Sequence, residues 1–275
     1  MAPCVKMICD SCGSTVASQD GSGEAEALCE ACRDRNEVQA AYDGQLMKLA
    51  KLLRSDPSAA LAILDQLWSQ YINRDRDGWL ARSIRDYRAL IFMLNNRHEE
   101  AMTELRTIEQ CLREGSEEFA DNKRSLANVL ARSGKPREAI HEIELALAYR
   151  DHLHIGNLVG LLTTYAHIAS EHGWIVPAKY QSTFERGVHE WGMPVSAELV
   201  GSDLTQAILL AASQRLAAQD RFVALLEELR GKPSDVRARL LREFIEAEPV
   251  GYFRDQAKRS LDGGEAPEGM EQEEG

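Results

Sequence analysis

From residue 37 to residue 261 the apolar residues recur every three to four positions, the period of a helix with one buried face. In ALAILDQLWSQYI, for example, Leu61, Leu64, Leu67, Trp68 and Tyr71 fall on a single helical face. Outside the first 36 residues no apolar–polar alternation runs beyond four residues, so the pattern predicts helices throughout this stretch. The clearest segment is SLANVLARSGKPREAIHEIELALAY, residues 125–149. It reads as two helices with Gly134 at the turn, where a permissive backbone is needed, and Pro136 in the first turn of the second helix. Leu126, Ala127 and Leu130 line the first helix; Ala139, Ile140, Ala146 and Leu147 line the second. Ala127, Ala139 and Ala146 are small enough to let the two helices approach closely.

Copies of this hairpin flank it. Ala101 stands 38 residues before Ala139, Ala60 another 41 before that, and Ala178 39 after Ala139. LAASQRLAAQDRFVALLEEL reads as a fifth unit, and DVRARLLREFIEAE as a closing helix. Small and large apolar residues interleaved on paired helices, with this turn chemistry, resemble the tetratricopeptide (TPR) repeat, although the spacings exceed that family's 34-residue period. The resemblance implies an all-α, TPR-like α-solenoid of helical hairpins. An irregular helical bundle is the alternative architecture. TPR arrays commonly bind peptide segments along the first helix of each unit. In the clear unit that implies Asp121, Arg124 and Asn128, three and four residues apart on one side of the helix. The next unit offers Thr163 and His167, and the preceding one Asp86 and Leu90. Arg124 and Asn128 resemble half of the carboxylate clamp of chaperone-binding family members. A solvated helix face is the competing interpretation of the same residues.

Charge and cysteine placement divide the chain further. The net charge is −12, and half of it sits in the last fourteen residues, DGGEAPEGMEQEEG, which hold one large apolar residue, Met270. Such a composition buries too little surface to fold, so 262–275 is expected to be a disordered acidic tail. An acidic chain without clustered Lys and Arg argues against direct nucleic-acid binding. No run of 18 apolar residues is present, and the N-terminus MAPCVKMICDSCGS lacks an apolar signal region; together they predict a cytoplasmic protein without a membrane span.

Five of the six cysteines fall in the first 32 residues. Cys9 and Cys12 form one C-x2-C pair and Cys29 and Cys32 a second, with sixteen residues between the pairs. Two intervening residues let both thiolates of a pair face one ion, and Gly13 permits the tight turn after the first pair. Four thiolates close a tetrahedron and leave no place for water. The expectation is therefore one structural Zn2+ per chain, in a small Cys4 zinc-ribbon or treble-clef finger over residues 1–36, followed by the helical domain 37–261. Locally ALCEAC is similar to the four-cysteine finger of the DksA/TraR family of polymerase-binding regulators, which implies a fold type only. A redox pair is the competing use of either C-x2-C. Cys4 is left as a free thiol, and Cys111, near Leu105, Ile108 and Leu112, is expected to be buried.

No P-loop, dinucleotide fingerprint, nucleophile elbow or HExxH motif is present. His152, His154, His167 and His172 cluster in sequence, but beyond Glu171–His172 no acid–histidine pair supports a second metal site. Glu99–Glu100 and Glu117–Glu118 read as solvated pairs. The functional expectation is a non-enzymatic protein–protein interaction adaptor or scaffold. It would dock another protein or a peptide segment, with Arg124, Asn128, Thr163 and His167 as contacts. The alternative is a regulator acting through its finger on a transcription or other nucleic-acid machine, touching that machine's protein. An enzyme whose site is assembled across helices is a third possibility, to be recognised by a stripe of buried charge.

Overall fold

The computed structural model describes residues 5–8, 15–18, 30–75 and 78–262, and the chain divides into two compact units, Met1–Cys111 and Leu112–Gly275. The first unit begins with two short strands, β1 (Val5–Ile8) and β2 (Thr15–Ser18), paired antiparallel with Met7 opposite Val16. Four helices follow: α1 (Glu30–Ser55), α2 (Pro57–Tyr71), α3 (Trp79–Leu94) and α4 (His98–Glu109). Helix α1 runs without interruption through residues 36 and 37. Its junction with α2 is set by Asp56, whose carboxylate accepts the Ala59 amide at 3.0 Å, and by Pro57 in the first turn. The expected face of α2 packs inward: Leu64 and Leu67 are buried with Val38, Tyr42 and Leu49 of α1 and Leu80, Ile84 and Ile91 of α3. Tyr42 meets Trp79 and Tyr87 edge-on at 5.2 and 6.1 Å between centroids, and burial pushes its hydroxyl pKa far up.

The second unit contains α5 (Glu117–Arg132), α6 (Pro136–Leu147), α7 (Ile155–Glu171), α8 (Gln181–Trp191), α9 (Ala197–Ser202), α10 (Leu204–Leu229), α11 (Ser234–Ala247) and α12 (Gly251–Leu261). From residue 30 onward every described element is helical.

The hairpin pattern recurs in atomic detail. Asn96, Gly134, Gly173 and Gly192 have φ of 59, 79, 67 and 58°. At each, the following amide reaches back five residues: Arg97 to Phe92, Lys135 to Leu130, Trp174 to Ala169 and Met193 to Val188, at 2.8–2.9 Å. This left-handed cap satisfies carbonyls that the ending helix leaves open. Around two of these turns the small residues match as well. Ala89 and Ala101 precede Ala127 and Ala139 by 38 residues, and all four are buried.

The third hairpin departs from expectation. Ala178 is exposed in a 3-10 turn before α8, because Ile175–Pro177 lengthen the connection. Tyr180, Phe184 and Gly187 take the inward positions there, at the four-then-three spacing of Ala139, Ile143 and Ala146. The expected fifth unit, LAASQRLAAQDRFVALLEEL, lies wholly within α10, which has no turn residue before Gly231. Helix α10 also runs antiparallel to α7. Thr205 near its start accepts the Val176 amide just beyond the end of α7, at 2.9 Å. Farther along, Arg215 lies 4.7 Å from the Trp191 ring, which borders Gly156 in the first turn of α7. The closing helix α11 pairs with α12, and Glu248 between them is buried, bonded twice by the Arg221 guanidinium at 2.9 and 3.0 Å. Cys111 is exposed just past α4, where the helix has ended before its side chain can turn inward.

Candidate partner-binding face on α5 and α7

Helix α5 starts at Ser116, whose hydroxyl accepts the Phe119 amide at 3.2 Å. The next residue, Glu117, reaches across to α7: its carboxylate accepts the His154 amide and the Asn157 side-chain amide. A carboxylate at the first turn of α7 suits the partial positive charge of a helix N-terminus. The contact sets the N-terminal ends of α5 and α7 side by side, so the two helices run parallel.

That register controls the face above. Asp121, Arg124 and Asn128 on α5 correspond, 39 residues on, to Gly160, Thr163 and His167 on α7. Arg124 ties the two strips together. It pairs with Asp121 at 3.1 Å and lies over Gly160, where a Cβ would fall 2.5 Å from its Nη1. The absent side chain at Gly160 is what lets the guanidinium rest against α7. Arg124 and Thr163 are half-buried, while Asn128 and His167 are exposed. The four expected contact residues therefore stand on two adjoining helices, one polar strip beside another. Chemically the face offers a guanidinium paired with the Asp121 carboxylate, an amide, a hydroxyl and an imidazole, with no buried nucleophile among them.

Beneath this face α7 is packed on most of its circumference, with Leu158, Leu162, Ala166 and Ala169 fully covered. Tyr165 and Tyr180 approach to 6.0 Å. Burial, with the Glu144 carboxylate nearby, pushes the Tyr165 hydroxyl up to about 12. Buried charge is held in pairs. Lys123, with its side chain 4 % exposed, bonds Glu142 at 2.6 Å and lies 5.3 Å from the Phe119 ring.

Cys9, Cys12 and Cys29 lie outside the described residues, and Cys32 is described only as a backbone position near the start of α1. In the chain, the first C-x2-C falls between β1 and β2 and the second straddles the first turn of α1. Among the described residues no group of three or more His, Cys, Asp or Glu is placed to hold a metal, so the four histidines 152, 154, 167 and 172 form no site there. Among the same residues no helix is long and apolar enough to cross a membrane. Asp86 is exposed and Leu90 half-buried on α3 of the first unit.

Sequence reasoning did not find Gly160 or Glu117. A glycine inside a helix reads only as a weak point, and the acid of a helix start reads as solvated. The available signal was the 39-residue offset, which aligns Gly160 with Asp121. In comparisons with known proteins, no family model, no curated protein and no solved structure matches this chain.

Proposed function

We propose that this chain is a non-enzymatic adaptor: a TPR-like α-solenoid that docks a segment of another protein along α5 and α7, preceded by a Cys4 zinc finger. The observation that carries the proposal is the registered pair of strips, Asp121–Arg124–Asn128 beside Gly160–Thr163–His167, joined by Arg124 over Gly160. The same left-handed cap at the ends of α3, α5 and α7, the first helices of three successive hairpins, supports the repeat interpretation. The non-enzymatic reading is supported by where buried charge goes: Lys123 and Glu248 are each taken up by an ion partner in helix packing.

For the finger, the support is the order of elements. A short antiparallel hairpin and a helix start bracket the two C-x2-C pairs. The donor set is four thiols, which suits zinc bound for structure. Bound there, the ion would cross-link the hairpin to the first turn of α1.

The test is an Arg124→Ala, Asn128→Ala double variant assayed against the physiological partner, with helicity checked by circular dichroism. An Arg contact to a partner carboxylate contributes about 1.5–3 kcal/mol, so affinity should fall by roughly 10- to 150-fold. Unchanged affinity in a folded variant would move the interface off this face.

A further inference from the structure

Helix α7 starts on a different chemistry from the other side-chain-capped helices. At α2, α5, α9 and α10 a first-turn amide is accepted by a side-chain oxygen, of Asp56, Ser116, Ser196 and Asp203. At α7 the acceptor is a ring nitrogen: the Gly156 amide donates to His154 Nδ1 at 3.1 Å. Nδ1 accepts that bond only while it carries no proton. A serine hydroxyl accepts at any pH and an aspartate down to about pH 4, whereas an imidazole takes up its proton between about pH 8 and 5.

We propose that His154 is a proton-operated latch on the start of α7, closed in the neutral imidazole and opened by protonation. A protonated Nδ1 is a donor facing the Gly156 N–H, which is also a donor. The imidazolium also places a positive charge at the positive end of the helix dipole. The groups around the ring decide where it goes. From α5, Glu117 presents a carboxylate that already accepts the His154 amide and the Asn157 side-chain amide. From α8, the uncharged Trp191 ring borders Gly156, and from α10 the Arg215 guanidinium lies 4.7 Å from that ring. Arg150, Asp151 and His152 precede His154 in the connecting turn. The imidazolium is repelled on the Arg215 side and attracted by Glu117, so it leaves Gly156 and competes with Asn157 for the carboxylate. That carboxylate sets α5 beside α7, so protonation loosens the register of the two helices at their N-terminal ends. The latch belongs to the fold and stands whether or not a partner docks on α5 and α7.

The experiment uses the full-length chain labelled with nitrogen-15. The protonation of the His154 ring nitrogens is read by NMR at pH 7.5. Protection of the Gly156 amide, corrected for intrinsic exchange, is read at pH 7.5 and 5.5. The expected result is an unprotonated Nδ1 at pH 7.5 and a roughly tenfold loss of Gly156 protection at pH 5.5, the scale of a lost cap. In His154→Asn, whose side chain caps without titrating, protection should change by less than about twofold over the same step. A proton on Nδ1 at pH 7.5, or equal Gly156 protection at the two pH values, overturns the proposal. Both are measured on the parent chain and do not depend on the variant folding. Loss of protection in His154→Asn equal to that of the parent also overturns it, because the step then belongs to another group.

Discussion

Arg124 occupies the space that a side chain at Gly160 would need, its Nη1 lying 2.5 Å from where that Cβ would stand. Because the conflicting atom is the far end of a flexible side chain, Gly160→Ala should be cheap for the fold. Replacing a helical glycine by alanine favours the helix by up to about 1 kcal/mol. The expected result is a melting temperature unchanged or slightly raised, with partner affinity reduced because Arg124 is displaced. Gly187 gives the contrast. A Cβ there meets Val159 Cγ2 at 2.7 Å inside the α7–α8 packing, so Gly187→Ala should destabilise by about 1–3 kcal/mol. Denaturant titration of both variants checks the opposite signs.

The turn residues make a second pair. A Cβ at Gly134 would meet nothing within 4 Å, so the cost of Gly134→Ala is backbone strain alone, about 1–2 kcal/mol. Asn96 holds the same left-handed conformation at φ 59° with a side chain already present. Asn96→Gly should therefore change stability by no more than about 0.5 kcal/mol, whereas Asn96→Ala should lose stability as Gly134→Ala does. Thermal melts of the three variants decide this.

The sequence made part of this architecture legible. The hairpin around Gly134 could be read because three signals agreed there: alternating small and large apolar residues, a glycine at the turn and a proline after it. Ala101 followed by its 38-residue offset, and it is buried as that offset implies. The offset failed at Ala178 because it counts residues and not geometry; the longer Ile175–Pro177 connection shifts which residues of α8 face inward. It failed again in α10, where an alanine- and leucine-rich run is equally compatible with two short helices or one long one. The apolar neighbours of Cys111 predict burial, but α4 ends two residues before it and leaves the thiol exposed. Of the candidate face, the individual residues were legible and their union was not. It depends on a side chain that is missing at Gly160 and on Glu117 reaching α7, neither of which leaves a mark in local periodicity.

Alkaline pH should weaken the second unit through Tyr165. Its hydroxyl is pushed up to about 12 in the fold by burial and by Glu144, against about 10 when unfolded. Above pH 10 the unfolded chain releases this proton and the folded chain keeps it, so the unfolded state binds fewer protons. Stability should then fall with rising pH between about 10 and 12, and be fully present below 10. Tyr165→Phe should make that decline shallower in urea titrations across this range. An unaltered decline would assign the effect to the other buried tyrosines.

Zinc binding predicts about one equivalent of metal per chain, lost in Cys29→Ser and released on acidification as the thiolates take up protons. Elemental analysis of the purified protein and the variant checks it. Full retention of metal in Cys29→Ser would remove that cysteine from the ligand set.

The central claim, that α5 and α7 present one docking face, is tested most directly by site-specific photo-crosslinking in the native host. A photoreactive residue is placed in turn at Asn128 and at His167, both exposed and 39 residues apart. Controls go at Glu99 on α4 and Glu138 on α6, which are also exposed. The account predicts that the same protein is captured from positions 128 and 167 and from neither control. Capture from the controls alone, or of unrelated proteins from the two test positions, would contradict it.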